Sequence, residues 1–208
     1  MKKKPASPRR QRNREATIQS ILDTARAIMR EEGVAALSMQ ELARRMDMRA
    51  PSLYNYFSSK MEIYDTLFRQ GFQLFGETMQ KAAEKAKSFS EDMRLSMEAY
   101  MNFALQNPDL FQLCFERHVP GFVPSAESMQ VVNAALTSAS ARVNSRMERG
   151  EFSPNINLHT AFDLVNAMMH GLTALHLANE PHLPLGQGRF GSLIPEAVSV
   201  FEKAWNKK

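Results

Sequence analysis

Residues 50–60 read APSLYNYFSSK, and where their apolar side chains point decides the fold. Pro51 suits the first position of a helix, because an amide there has no partner within the helix and the ring fixes the chain's entry. Leu53 and Phe57, four apart, give this short helix an inward side, which leaves Ser52, Asn55 and Tyr56 largely outward. Just upstream, Ser38 and Glu41 have the spacing of a capping box, and Leu37 and Leu42 that of a hydrophobic staple. They predict a second helix over about 38–46, separated from the first by Asp47, Met48 and Arg49 alone. Two short helices joined by so brief a turn form a helix-turn-helix. In that unit the second helix lies in the major groove of DNA, with its N-terminal residues at the base edges.

The side chains left outside suit that role. Ser52 and Asn55 are short polar groups fit for base edges or phosphates, while Tyr54 and Tyr56 carry hydroxyls on rigid arms. Ser59 and Glu62 form a second capping box that opens a long helix, and Lys60 falls in its first turn. There its charge and the helix N-terminus both favour a phosphate. A plainer alternative makes Tyr54 half-buried packing and Lys60 an ordinary solvated lysine. That alternative leaves unexplained two capping boxes, a short turn, a Pro-led helix and a basic arm together.

Outward from this unit nearly every segment keeps helical periodicity, and none alternates like a strand. Ile18, Ile21, Leu22, Ala25, Ile28 and Met29 make one apolar stripe, stopped at Gly33. Further helices are predicted over about 90–106, from Asn107 with Pro108 as its start, over 125–149 up to Gly150, over 157–178 and over 193–206. VPGFVPSAES is a loop, and NEPHLPLGQG reads as a mobile one. The expectation is an all-α chain of about nine helices. It divides into a basic disordered arm (1–14), a helix-turn-helix DNA-binding domain (15–60) and a helical ligand-binding and dimerisation domain (61–208).

The chain has 208 residues, 44% apolar and 23% charged, ordinary for a soluble globular protein. No apolar run approaches the length that spans a bilayer, no signal peptide opens the chain, and the single cysteine, Cys114, excludes an internal disulfide. These features predict a cytoplasmic protein without membrane contact. The net charge of +4 is unevenly spread: residues 1–60 hold thirteen Lys/Arg against six Asp/Glu, and the remainder thirteen against sixteen, so +7 and −3. Such asymmetry suits a polyanion partner, although a solvated basic tail from Lys2 to Arg14 produces the same count.

On these residues the stretch from about Arg14 to Leu67 resembles the DNA-binding domain of the tetracycline-repressor (TetR) family. The carrying features are Ile21, Ala25 and Gly33, then LSMQELARRM, then APSLYNYFSSKMEIYDTL with its LYxYFxxK pattern. The resemblance implies that Arg49, Ala50, Pro51, Ser52, Tyr54, Asn55 and Tyr56 face operator DNA, that Ser38 and Gln40 contact backbone or bases, and that Lys60 binds phosphate. Asp47 stands where the family's turn commonly carries glycine. Asp tolerates the left-handed conformation better than most residues, so the turn survives with slight strain. AFDLVNAMMHGLTALHLANE, with His170-Gly171, and YMNFALQNPDLFQLCFER resemble one branch of the family's C-terminal domains.

The same resemblance implies a homodimer on a palindromic operator in double-stranded DNA, and a small-molecule effector bound in the body. Phe162, Val165, Met169, Leu172 and His176 on one terminal helix, with Val198, Phe201 and Trp205 on the next, are the candidate dimer residues. Candidate effector contacts are Met101, Phe111, Phe115, His118, Met168 and His170, in an apolar population that includes Met97 and Phe103. Such a stripe describes a plain core more readily than a pocket. No cofactor or metal is expected, because Cys114 and His118 are the lone helical Cys/His pair and zinc requires three or four ligands. Nor does any catalytic signature occur, such as a G-x-S-x-G elbow, a phosphate loop or H-E-x-x-H. The expected function is therefore a repressor released from its operator by a small apolar molecule. One rival is a DNA-bound protein whose body recruits a protein partner, favoured by a body without a cavity or by an exposed apolar patch outside the dimer seam; another is a ligand-binding module that no longer regulates anything.

Overall fold

The computed structural model describes residues 7–116, 118–151 and 157–205, and no strand occurs among them. Ten helices follow in order: α1 Pro8–Glu32, a 3₁₀ turn Val34–Ala36, α2 Met39–Arg45, α3 Ala50–Leu53, α4 Lys60–Ala83, α5 Phe89–Gln106, α6 Pro108–Phe115, α7 Ala126–Glu148, α8 Leu158–Asn179, α9 Gly188–Gly191 and α10 Ile194–Trp205. The pattern predicted about nine, and the tenth is the single turn α9, inside the segment expected to be a mobile loop. That segment is held by its own contacts: His176 donates from Nε2 to the carbonyl of Leu183 at 3.0 Å, and the Arg189 amide donates to Glu180 at 2.7 Å. No described helix is long and apolar enough to cross a membrane.

The basic arm needs correction. Residues 1–6 lie outside the described residues, but Pro8 starts α1, so the stretch expected to be disordered up to Arg14 is helical from Pro8 onward. Proline at the first helical position and the continuous polar run QRNRE carry the helix back past its buried stripe. Arg14 is fixed to the head, donating to the Asn55 carbonyl at 3.0 Å with its guanidinium 5.2 Å from the centre of the Tyr56 ring.

Local chemistry sets the head's elements. The Ser38 hydroxyl accepts from the Glu41 amide at 3.2 Å, and that of Ser59 from the Glu62 amide at 3.4 Å, so the forward half of each capping box forms. The glutamates do not reach back to the capping residues. Glu62 takes the amide and hydroxyl of Ser58 instead, and Glu41 accepts from Arg44 and Arg45, whose guanidiniums hold its carboxyl down to about 2. Ser88 and Glu91 repeat the motif at the start of α5. At the end of α2 the Met48 amide donates to the Ala43 carbonyl and the Asp47 amide to that of Arg44, the two bonds of a Schellman motif. Asp47 accordingly sits at φ 51°, the one non-glycine among the described residues with positive φ. Glycine adopts this conformation without cost, which is why Asp47 departs from the common turn residue but not from the turn.

Leu37, Leu42, Leu53, Ile63 and Leu67 fill the head's interior, and the hydroxyl of Tyr64 donates to the Val34 carbonyl at 2.6 Å, tying α4 to the turn after α1. Burial lifts that phenol to about 12. Below the head, α4 packs on α5, α6 and α7, and α8 and α10 pack on α5. Head and body meet at the buried carboxylate of Asp109, in the first turn of α6. Arg26 reaches it from α1 at 2.6 and 3.2 Å, and Arg30 at 2.9 Å. Asn107 holds the N-cap position of α6 without a capping bond from its side chain, which accepts from Arg26 at 3.0 Å and donates back to the Phe103 carbonyl.

Burial alone would raise the Asp109 carboxyl, but hydrogen bonds and charge from Arg26 and Arg30 hold it below its ordinary value. A lowered native value stabilises the fold above the unfolded carboxylate range, near pH 4, and the contribution fades as pH falls through the native value. Asp109→Asn is therefore expected to cost about 2 kcal/mol at pH 7, less than for a fully buried pair because both arginines reach solvent. The gap between the thermal melts of the two proteins should narrow as pH falls from 7 to 3; a gap that stays constant over that range would remove the ionic role.

Candidate functional site

The outer surface of the head gathers the residues singled out for DNA. The α3 helix is a single turn, and Arg49, Pro51, Tyr54 and Asn55 are exposed around it, with Tyr54 at 54% exposure. Tyr54 is thus not packed between helices. Ala50, Ser52 and Tyr56 are partly covered, and Tyr56 lies under Arg14. Gln40 is exposed in the first turn of α2, Ser38 caps that helix, and Lys60 opens α4. Sequence reasoning left Arg14 out of this group, although it brings a guanidinium beside Asn55. Arg44 and Arg45 are basic but engaged otherwise: Arg44 pairs with Glu41, and Arg45 with Glu41, Glu31 and Glu32, joining α2 to the end of α1.

The body contains a cavity of about 760 Å³, within the usual size of a small-molecule site. Phe72, Phe75, Gly76 and Met79 of α4 line it, with Asp92, Ser96 and Tyr100 of α5. Val131, Val132, Ala135 and Arg142 of α7 face it too, as do Phe162, Val165, Met169 and His170 of α8 and Trp205 of α10. Phe75 and Phe115 stand 5.1 Å apart at its inner end. Tyr100 Oη and His170 Nδ1 share a 3.0 Å hydrogen bond that joins α5 to α8, and burial raises the Tyr100 phenol above its ordinary value.

Of the six candidate effector contacts, Phe115 and His170 lie on this cavity. Met101 and Phe111 are core residues away from the wall, Phe111 stacking on the His170 ring at 5.6 Å, and Met97 and Phe103 are likewise buried. Met168 lies on the outer face of α8, and His118 is half-exposed and pairs with Glu116. No group of three potential metal ligands occurs among the described residues. The Cys114 thiol is buried on α6, and burial pushes it up from its ordinary value.

The candidate dimer residues require a larger correction. Met169, Leu172, His176, Val198, Phe201 and Trp205 are all buried within one chain, and Phe162 and Val165 line the cavity. Periodicity selects the most apolar face of a helix, and on α8 and α10 that face belongs to the protomer's own core. The exposed apolar residues lie elsewhere: Leu164, Met168 and Leu175 on α8, and Val200 on α10. Leu164, Met168, Gly171 and Leu175 recur at +4, +7 and +11, one stripe of the helix.

Comparison with known proteins agrees with this architecture at both ends. Residues 21–67 match the family described as bacterial regulatory proteins, tetR family, and residues 93–190 match the tetracyclin repressor-like C-terminal domain. The uncharacterized HTH-type transcriptional regulator YobS of Bacillus subtilis is 25% identical over 159 residues, 76% of this chain and 78% of that protein. Among solved structures, a protein of unknown function from Rhodococcus sp. RHA1 aligns with a TM-score of 0.76 at 20% identity, over 91% of this chain and 95% of its own. The transcriptional regulator FadR of Bacillus subtilis, solved with stearoyl-CoA, aligns at 0.67 and 16% identity over 88% and 96%. At these identities the two structures share the fold.

Removing one phosphate contact weakens binding to every duplex alike and lowers the salt slope by about one. Lys60→Ala is expected to do both in a fluorescence-anisotropy titration from 50 to 200 mM salt. Full affinity with an unchanged slope would exclude a phosphate contact at Lys60.

Proposed function

The chain belongs to the tetracycline-repressor family of DNA-binding transcriptional regulators, and from that premise we propose a homodimeric repressor that leaves a palindromic operator when a small apolar molecule fills the body cavity. The observation that carries this reading is the path of α4. This unbroken helix of 24 residues begins at Lys60 beside the reading helix and continues along the cavity wall through Phe72, Phe75 and Met79. It spans about 36 Å, so a small rotation at one end displaces the other. A ligand that prefers one arrangement of the wall shifts the population of head positions, and a differential affinity of a few kcal/mol is enough.

In this reading residues 15–60 are the DNA-binding head, residues 61–208 bind effector and partner, and the protein works in the cytoplasm. A body without a cavity would favour the rival that recruits a protein partner, and about 760 Å³ of mostly apolar space speaks for a small molecule instead. FadR of Bacillus subtilis, with its bound stearoyl-CoA, is a precedent for a ligand with a long apolar chain in a protein of this fold. Two heads on a palindrome need half-sites one DNA turn apart, about 34–36 Å. The second copy supplies the second head by covering the stripe of Leu164, Met168 and Leu175, where Gly171 lets a neighbouring helix approach closely.

The deciding experiment titrates the purified protein onto its own upstream DNA across a salt series, with and without apolar compounds. Specific binding abolished by a compound is expected. Specific binding that no compound disturbs would overturn the effector half of the reading, and binding without specificity would overturn the operator half. For the dimer, a side chain at Gly171 meets nothing within 4 Å in the single chain, and replacing a mid-helix glycine favours the helix by up to about 1 kcal/mol. Gly171→Arg should therefore keep its melting temperature in the monomer yet sediment as a monomer, with loss of operator affinity. A Gly171→Arg protein that remains dimeric would place the interface elsewhere.

A further inference from the structure

We propose that the effector is an amphipathic carboxylate, with its apolar body among the cavity's rings and its carboxylate on the guanidinium of Arg142; this rests on the cavity being the effector site. The argument begins with the polar end of the cavity. Asp92, on the cavity-facing side of α5, is 5% exposed and receives two arginines from α7: Arg142 Nε at 3.1 Å and Arg146 Nε at 2.8 Å. Its other oxygen accepts from Ser96 at 3.4 Å. Arg146 is itself buried with each of its three nitrogens engaged, Nη1 on Glu151 at 2.9 Å and Nη2 on the Ala86 carbonyl at 3.4 Å. Glu151 is shared with Arg149, which lies outside the cavity.

Arg142 is different. Its side chain is 25% exposed and borders the cavity, Nε alone engages Asp92, and the two terminal nitrogens have no hydrogen-bond partner among the described residues. A guanidinium carries five donors in a planar fork, and the pair of terminal nitrogens matches the two oxygens of a carboxylate. Around Asp92 and Glu151 stand three guanidiniums, those of Arg142, Arg146 and Arg149, and Arg142 is the one of the three on the cavity wall, so a further anion there meets net positive charge. The remaining acidic residue on the wall, Glu77, is exposed and screened by solvent. A cationic ligand finds no such place, because both oxygens of Asp92 are already occupied.

The other end of the cavity is of opposite character. Asp92, Ser96 and Tyr100 succeed one another at four-residue intervals along α5, which sets Tyr100 about 12 Å from Asp92 along the helix axis. Around Tyr100 stand Phe72, Phe75, Phe115 and Met169. An apolar body of that length with one terminal carboxylate satisfies both ends. A neutral molecule of the same shape leaves the Arg142 fork without an acceptor in a largely apolar wall, and that omission costs affinity.

The chain's one tryptophan, Trp205, lies on the cavity wall, so its emission reports occupancy directly. Titration with decanoate and with decan-1-ol compares charged and neutral heads on one apolar body. Wild-type protein is expected to bind decanoate about tenfold more tightly, and Arg142→Gln to lose most of that preference while still binding the alcohol. Arg142→Lys should keep a preference, since it retains the charge without the fork. Equal binding of both compounds by the wild type would overturn the carboxylate assignment and leave the cavity reading standing. A preference undiminished in Arg142→Gln would overturn the role of Arg142, and the absence of any emission change with either compound would take down the cavity reading as well. The wild-type comparison holds whether or not the variants fold.

Discussion

The Asp109 carboxylate, reached from α1 by Arg26 and Arg30, is the contact on which the relation of head to body depends. It is buried, it lies in the first turn of α6, and it connects elements some eighty residues apart in sequence. A carboxylate so placed costs free energy unless paired, so once the arginines engage it few other arrangements of α1 against α6 are tolerable. Short α6 then carries this constraint inward, because Phe115 at its far end lies against Phe75 and the cavity. Gly71 presses α6 against α4: a Cβ there would sit 2.7 Å from the Cys114 sulfur. The three helices that link head and cavity are thus fastened at one end by charge and along their length by close packing.

Helix α5 organises the body in a comparable way by dividing its two faces. Met97 and Met101 lie on the face that fills the core, Met93 is buried at the edge of the cavity wall, and Asp92, Ser96 and Tyr100 run along the face that borders the cavity. Helical geometry separates the two rows by about a hundred degrees, which is why a Met-rich helix can wall a cavity while showing it few methionines. His170, hydrogen-bonded to Tyr100 and stacked on Phe111, holds α8 at the distance that keeps the space open. In the proposed mechanism these are the contacts a ligand would perturb.

How much of this was legible in the sequence follows from the range of the forces involved. The head was readable because its signals are local: Ser38 caps an amide three residues onward, Pro51 lies in the first turn of α3, and Leu53 and Phe57 mark its buried side. Even Asp47 announced its left-handed turn. The body's helices were readable too, but their roles were not. On α8 nearly every face is apolar, so periodicity cannot separate the residues buried in one chain (Met169, Leu172, His176) from those left for a second (Leu164, Met168, Leu175). Arg142 and Arg146 carry no local signal of their role. Their destination, Asp92, lies fifty residues away, and no spacing rule spans that distance.

Two buried aspartates, each facing two arginines, therefore sit at the two places where the proposed mechanism needs definite geometry. Neither pair is required for net stability, since well-packed apolar groups of similar volume serve that end at least as well. What they supply is register: an unpaired carboxylate in the interior disfavours every arrangement but the one that satisfies it. The two sites differ in what remains unfilled. At Asp109, Arg26 donates from two nitrogens and Asn107 accepts from one of them, while Arg30 engages through Nε and its outer end reaches solvent. At Asp92, each of the three nitrogens of Arg146 is engaged, and the terminal fork of Arg142 borders the cavity. The same chemistry thus yields a joint between helices where the outer end of a guanidinium meets solvent, and a place for a ligand's charge where it meets a cavity.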